Sequence, residues 1–288
     1  MAQKSEKNKA FGFDIRNGRA MVSLGPLSPK RFCTYACAFC YVHADFGSYP
    51  SMSPNEILDG LARRVHSFDI VYVSGDTDSL AKPRTSSGID LIEALSTLGS
   101  DVLFTTRAPL SDSDLDRLAS INRELEKQGN LLFGCISISR LRSAPHLEPK
   151  PVPSPDDRLA VLKGLKDRGI ISVLAMRPFL PVVPVSEYVE LASLAAPFAD
   201  VILGEAWYAD KGGLLEAQVF GDKVSKLNGY HIGKMDFDDN DELWKVWKGS
   251  EVREAVASYC ANAGVPFFMR SRPAILHVRE TRKKFRNL

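Results

Sequence analysis

The sequence predicts an α/β fold built on a parallel β-sheet. Short apolar, β-rich runs alternate with amphipathic stretches over the first two thirds of the chain, which is the pattern of repeated βα units. About six such units precede residue 205 without a low-complexity linker. Successive βα units are joined by right-handed crossovers, and such connections place their strands in parallel in one sheet. With 288 residues, 44% of them hydrophobic and 25% charged, the chain can bury a substantial core.

The elements follow one another in a regular order. The predicted strands cover residues 20–24, 70–74, 101–106, 131–138, 170–176 and 200–203. The predicted helices begin near residue 53 and cover 88–98, 111–128, 154–168 and 185–195. Two of these helix starts carry Ser-Pro, at Ser53 and Ser154, where serine caps the helix and proline occupies its first turn. Gly169 is a helix stop. The remainder is less regular, with a helix expected around 241–263 and a last strand near 265–269.

A cysteine triplet follows the first predicted strand. Cys33, Cys37 and Cys40 have the spacing C-x3-C-x2-C, and the aromatic Phe39 directly precedes the last of them. Three thiolates fill three of the four iron sites of a cubane cluster, so one iron is left open for an exogenous ligand. The alternative is zinc, because His43 could complete a tetrahedral Cys3His site. Structural zinc sites more often pair C-x2-C with a distant second pair, which this sequence lacks, so iron–sulfur is the preferred interpretation.

Polar residues follow each apolar run. In (β/α) barrels the reacting groups gather at the carboxyl ends of the strands, so these residues are expected to converge on one cavity. The segments that contain these polar residues are Ser74-Gly75-Asp76-Thr77-Asp78, Thr105-Thr106-Arg107, Ser137 with Ser139 and Arg140, Met176-Arg177-Pro178, and Glu205. A zinc ribbon has no reason to lie on such a scaffold, which strengthens the iron–sulfur interpretation.

The cysteine spacing and its place in the βα series resemble those of the radical S-adenosylmethionine (SAM) superfamily. The resemblance implies a partial (β/α)6 TIM-type barrel over residues 19–207, after an N-terminal segment 1–18. Residues 208–288 would then form an extension covering the barrel mouth. It also implies a 4Fe-4S cluster on the three cysteines, SAM on the open iron, and an electron donor such as flavodoxin or ferredoxin. Reductive cleavage of SAM would give methionine and a 5′-deoxyadenosyl radical.

The same resemblance assigns residues to SAM. Phe39 would contact the cofactor, and the turn at Gly75, Asp76 and Thr77 would hold its amino group. Glycine allows close approach of the backbone, and the two side-chain oxygens can accept from an ammonium. Arg107 is positioned to pair with the carboxylate. Ser137 is a candidate for a ribose or carboxylate contact.

A narrower resemblance links residues 30–180 to the group around spore photoproduct lyase. The landmarks, in order, are Asp76-Thr77-Asp78, Thr105-Thr106-Arg107-Ala108, and Glu148-Pro149 with Arg158. Arg107 takes the place of a SAM-carboxylate lysine, and Glu148 and Arg158 would form a buried or semi-buried pair. Ser79 stands where the group often has proline.

One departure concerns the hydrogen donor. The lyase uses a further cysteine downstream of its cluster, whereas this sequence has no cysteine between Cys40 and Cys135. Cys135 and Tyr41 are the candidate donors here, and packing is the favoured role of both, as it is of Cys260. The DNA-repair function is therefore not the preferred one.

The favoured prediction is a radical SAM enzyme acting on a small molecule or metabolite. The alternatives are a photoproduct lyase-like DNA repair enzyme and a non-catalytic, zinc-stabilised binding module. A net charge of +2 indicates no strong field for nucleic acid or membrane. The basic C-terminal residues, Arg279, Arg282, Lys283, Lys284 and Arg286, are interpreted as a solvated end. Free cysteines and a polar, lysine-rich start predict a cytoplasmic protein.

Overall fold

The computed structural model describes residues 12–25, 33–43, 52–221, 229–235 and 241–286, with side chains described as far as residue 282. The strands are β1 (Phe13–Arg16), β2 (Arg19–Val22), β3 (Ile70–Val73), β4 (Asp101–Thr106), β5 (Leu132–Ser137), β6 (Ile171–Met176), β7 (Val201–Gly204), β8 (Trp207–Ala209), β9 (Tyr230–Gly233), β10 (Trp244–Trp247) and β11 (Phe267–Phe268). The helices are α1 (Pro54–Ala62), α2 (Thr85–Leu95), α3 (Asp112–Lys127), α4 (Pro155–Asp167), α5 (Val185–Ala195), α6 (Leu214–Phe220), α7 (Ser250–Ala263) and α8 (Ser271–Arg286).

Eight strands form one open sheet in the order β1-β2-β3-β4-β5-β6-β7-β11. Strands β2 to β7 are parallel and are the six strands that the sequence predicts. The antiparallel strand β1 extends one edge, and β11 joins β7 in parallel at the other. The predicted α/β class and partial barrel are confirmed.

The helices begin where local chemistry favours a start. Ser53, Ser111 and Ser154 each accept a hydrogen bond from the backbone N–H three residues on, and a carboxylate there reaches back to the serine. These reciprocal bonds satisfy N–H groups that have no partner within the helix. Helix α2 starts three residues earlier than predicted, so Gly88 lies inside it. A Cβ at Gly88 would come within 2.3 Å of the carbonyl oxygen of Ser79, and only glycine allows this approach.

The interior of the open barrel is lined by alternate strand residues and closed by the C-terminal helix. Ala274, Ile275 and Val278 of α8 pack in one buried cluster with inward residues such as Leu103 and Phe133. Arg279 donates to Asp101 at 2.7 Å, where β4 begins, and Arg282 pairs with Glu126 at 2.9 Å. The interpretation of this segment as a solvated end is therefore wrong for Arg279 and Arg282. The side chains of Lys283, Lys284 and Arg286 lie outside the described residues.

The C-terminal segment also contains a small second sheet of order β8-β10-β9. The predicted helix over 241–263 is wrong in its first part, because Trp244–Trp247 is strand β10 and α7 begins at Ser250. Trp244 and Val246 are buried and alternate with more exposed residues, which is the period of a strand. Gly249, at φ 55°, separates the strand from the helix. The strand predicted near 265–269 is β11.

Strand β1 was not predicted, although Asn17-Gly18 marks its turn. Both residues have positive φ, at 49° and 70°, as a tight hairpin turn requires. None of the helices in the described part of the chain is long and apolar enough to cross a membrane.

Candidate active site

The cysteine loop lies beyond the carboxyl end of β2 and is held by distant parts of the chain. The backbone N–H of Ala38 donates to Leu147 O at 2.9 Å, and the indole of Trp207 donates to Phe39 O at 3.3 Å. Within the loop, the N–H of Cys40 donates to Cys37 O at 3.1 Å. These bonds fix the backbone of the loop without using the thiols.

The three thiols lie close enough to influence one another. Burial raises the pKa of Cys37 to about 12 and that of Cys40 to about 11, and Cys33 contributes to both increases. The backbone N–H of Asp78 donates to Cys33 Sγ at 3.4 Å, and that of Val42 hydrogen-bonds Cys40. Amide donors and the nearby positive charge of Arg107 suit sulfur atoms that carry negative charge as cluster ligands. The residues present thus fit an iron–sulfur cluster.

The alternative zinc arrangement is not preformed. Within the described ranges, no three His, Cys, Asp or Glu side chains meet as ligands of a single metal ion, and His43 is not brought to the thiols in that way. A cubane cluster places its thiolates on separate irons, so they need not converge on one point.

The turn after β3 is tied to the end of β2. The N–H of Asp76 donates to Ser23 Oγ at 3.1 Å, and the Thr77 hydroxyl donates to Leu24 O at 2.8 Å. The residue with positive φ is Ser74, at 71°, and not Gly75. Because a non-glycine residue in this region is strained, the turn is a locally unfavourable conformation held by its surroundings. Thr77 is buried, whereas Asp76 is exposed.

Tyr41 and Asp76, predicted separately, are brought together. The Tyr41 hydroxyl donates to Asp76 Oδ1 at 3.0 Å. The tyrosine ring packs edge-on against Trp244 of β10, with centroids 6.5 Å apart. Burial and the Asp76 charge raise the pKa of Tyr41 well above its ordinary value, so the phenol stays protonated. The cysteine loop, the β3 turn and the small sheet therefore meet here.

Arg107 lies at the centre of the site. Its Nε is 3.2 Å from Glu148 Oε1, its Nη2 donates to Arg177 O at 3.4 Å, and its guanidinium stands 5.6 Å from the ring centroid of Phe39. The predicted pair of Glu148 with Arg158 forms and is fully buried, at 2.7 and 3.0 Å. Arg140, 3.6 Å from the same carboxylate, was not assigned a role.

Asp78 links the cysteine loop to β4. Its carboxylate accepts from the Thr106 hydroxyl at 2.8 Å and from the Arg107 N–H at 2.7 Å, while its own N–H reaches Cys33. The sequence identified Asp78 only as part of a motif. In the structure, its carboxylate fixes the backbone at Arg107, from which the Arg107 side chain extends.

Several predicted residues lie deeper or elsewhere. Cys135 is buried in the barrel interior beside Thr105, and burial raises its thiol pKa. Ser137 is buried at the last position of β5, and its carbonyl accepts from Arg158 at 2.8 Å. Cys260 is buried in α7. The interior also holds Tyr72, whose hydroxyl lies 2.8 Å from the Thr105 hydroxyl and which strand alternation could have identified.

An open parallel (β/α) barrel with three thiols beyond its first parallel strand, and charged groups gathered at the strand ends, is the arrangement expected of a barrel enzyme that holds a metal cofactor on cysteines. The model of the Radical SAM superfamily matches residues 27–195, more than half of the chain, and the chain belongs to that superfamily. It is a SAM-dependent enzyme, and membership implies an iron–sulfur cluster together with SAM.

Solved structures show the same fold. A point mutant of spore photoproduct lyase, with phenylalanine in place of a tyrosine, is 16% identical with a TM-score of 0.60, over 87% of this chain and 82% of that one. The radical SAM methyltransferase TsrM from Kitasatospora setae, solved with tryptophan substrate and a SAM analogue, is 11% identical with a TM-score of 0.53. That match covers 86% of this chain and 52% of the methyltransferase. No curated protein sequence matches.

Proposed function

We propose that Cys33, Cys37 and Cys40 hold a 4Fe-4S cluster and that the enzyme abstracts a hydrogen atom from a small-molecule substrate. The cluster, when bound, supplies the electron that cleaves SAM to methionine and a 5′-deoxyadenosyl radical. The observation that carries the proposal is the convergence of the cysteine loop, the Asp76 turn and Arg107 at one end of the barrel.

The chain's own residues then divide the work of holding SAM. Gly75, Asp76 and Thr77 receive the amino group, with Tyr41 orienting the Asp76 carboxylate through its hydroxyl. Arg107 receives the carboxylate, and Phe39 packs beside it. Ser137 is assigned to the ribose or carboxylate. Glu148 keeps the Arg107 side chain in position, because charge-assisted hydrogen bonds to a buried carboxylate restrict its rotamers.

A small substrate is favoured over DNA by the lining of the interior. Tyr72, Thr105, Arg177 and Glu205 present hydroxyl and charged groups inside the barrel, where a compact polar molecule would be recognised. The resemblance to the spore photoproduct lyase group makes a DNA lesion the second candidate. Cys135 and Tyr41 are candidate hydrogen-atom donors, and packing is the role we favour for Cys135.

The test is anaerobic turnover of the reconstituted full chain with dithionite or reduced flavodoxin as electron donor. The proposal expects 5′-deoxyadenosine to form and to form faster with a pool of small metabolites than with ultraviolet-irradiated DNA. Acceleration by the irradiated DNA alone would favour the repair function. Absence of cleavage in a protein that retains zinc would favour the binding module.

A further inference from the structure

Polar groups inside the barrel remain after the cysteine loop and the proposed SAM contacts are assigned. The Tyr72 and Thr105 hydroxyls lie 2.8 Å apart, and Arg177 Nη1 donates to Ser271 Oγ at 3.1 Å. Thr105 is partly exposed although its neighbours along β4 are buried, so the interior is open at this level. A barrel filled only for packing would place apolar side chains here, because buried polar groups cost free energy.

Among these polar groups, Arg177 is the strongest candidate for direct contact with a ligand. Its guanidinium contacts Ser271 and Tyr72, both hydroxyls, while its Nε is buried and has no hydrogen-bond acceptor among the described residues. A buried donor left unpaired is costly, and an acceptor oxygen from a ligand would recover that cost. The edge of a guanidinium offers two parallel N–H donors, which match the two oxygens of a carboxylate.

Glu205 provides the opposite charge at the same level. Met176 is in register with Gly204, so Arg177 and Glu205 are the first residues after the ends of two neighbouring parallel strands. Burial would lower the pKa of Arg177, but Glu205, with smaller contributions from Tyr72 and Cys135, raises it, so the carboxylate of Glu205 lies near enough to favour the charged guanidinium. A cationic and an anionic group beside each other complement a molecule that carries both charges.

We propose that the substrate is a free α-amino acid or a small amino-acid derivative. Its carboxylate binds Arg177 and the Ser271 hydroxyl, and its ammonium binds Glu205. This inference rests on the proposed function, because it names the substrate class of the same site. A peptide would present only one of the two charges at this place.

The experiment uses the reconstituted full-chain enzyme with SAM and dithionite. Each common amino acid is compared with its α-amide, which lacks the carboxylate, and with its α-hydroxy acid, which lacks the ammonium. We expect at least one amino acid to accelerate 5′-deoxyadenosine formation about 10-fold or more, and both analogues to lose most of this effect. Binding of the same compounds is measured independently by titration calorimetry.

Substitutions of Arg177 and Glu205 test whether the amino acid binds at these two residues. Arg177→Gln and Glu205→Gln each remove one charge-assisted partner and should weaken binding of the active amino acid about 10- to 100-fold. Arg177→Lys should weaken it less than Arg177→Gln. Arg117→Gln, at an exposed arginine paired with Asp90 and Glu93, is the matched control and should leave both binding and turnover unchanged.

The outcomes separate the two proposals. An enzyme that cleaves SAM but neither binds nor responds to any amino acid overturns the amino-acid inference and leaves the proposed function standing. Equal responses to the amides also overturn it. An enzyme that binds an amino acid but cannot cleave SAM overturns the proposed function.

Discussion

Arg158 holds both carboxylate oxygens of Glu148, at 2.7 and 3.0 Å, inside the core, and neither side chain is exposed. The same carboxylate is 3.2 Å from Arg107, so a buried pair between α4 and the preceding loop also positions a residue of the site. This arrangement ties the stability of the barrel to the geometry at its mouth.

Replacing Glu148 should therefore be strongly destabilising. Glu148→Gln leaves Arg158 and Arg107 without their shared anion, and breaking one side of a buried pair costs about 3–5 kcal/mol of unfolding free energy. Urea unfolding of the purified protein measures this. The control is Glu190→Gln, which removes an exposed pair with Arg142 and should cost less than about 1 kcal/mol. Equal effects of the two substitutions would contradict the structural role of Glu148.

The effect of Glu148→Gln should depend on pH. Burial alone would raise the pKa of Glu148, but Arg158, Arg107 and Arg140 together hold it below its ordinary value of 4.5. A lowered pKa in the folded state contributes stability that is complete above the unfolded pKa and is lost as pH falls through the folded pKa. The difference in unfolding free energy between wild type and Glu148→Gln should narrow below about pH 4.5. A difference that stays constant down to pH 3 would contradict this.

The contribution of Arg107 to SAM affinity should depend on the positive charge of its side chain more than on the shape of that side chain. Arg107→Met removes the cation assigned to the SAM carboxylate and should weaken SAM binding about 10- to 100-fold, as expected for a charge-assisted hydrogen bond. Arg107→Lys keeps the charge and should weaken it less than about 10-fold. Anaerobic titration calorimetry with SAM gives both values, and unchanged affinity in Arg107→Met would remove this residue from the SAM site.

Tyr41→Phe tests the contact between the cysteine loop and the β3 turn. The ring still packs against Trp244, but the hydrogen bond to Asp76 is lost, so SAM affinity should fall several-fold while iron content stays the same. Tyr230→Phe, on the exposed strand β9, is the control. Loss of iron in Tyr41→Phe would show that the tyrosine supports the cluster loop rather than Asp76.

Helix α8 offers a pair of adjacent residues with opposite environments. Ile275 is 2% exposed inside the barrel, whereas Leu276 is 46% exposed. Ile275→Ala should lower the unfolding free energy by about 2–5 kcal/mol, and Leu276→Ala should change it by less than about 0.5 kcal/mol. Thermal unfolding in parallel distinguishes them. Similar small effects would mean that α8 does not form part of the core in solution.

The parallel strands were predictable because each is a continuous apolar run between polar residues, as strands buried on both faces are. The small sheet and α8 were not. Trp244–Trp247 lies directly before a helix and shares its amphipathic composition. In α8, the buried residues Ala274, Ile275 and Val278 lie in a sequence that is rich in basic residues. Which of these short patterns is buried depends on what lies opposite, and the sequence does not show that.

The site was predictable to the level of motifs. Cys33, Asp76 and Arg107 were identified by position after a strand, and the structure brings their segments together. Ser74 was not recognised as the strained residue of its turn, because a left-handed serine has no sequence signal comparable to that of glycine. Arg177 was identified as a strand-end residue, but only the structure shows that its Nε is buried without an acceptor among the described residues.

The central claim, a SAM-cleaving cluster on three cysteines, is tested most directly by iron content together with 5′-deoxyadenosine formation in one preparation. Anaerobically reconstituted wild type should hold about four irons per chain and form 5′-deoxyadenosine only when dithionite and SAM are both present. The triple variant Cys33→Ala, Cys37→Ala, Cys40→Ala should do neither, while Cys260→Ala should match the wild type. Persistent SAM cleavage in the triple variant, or a wild type that binds zinc and no iron, would contradict the account.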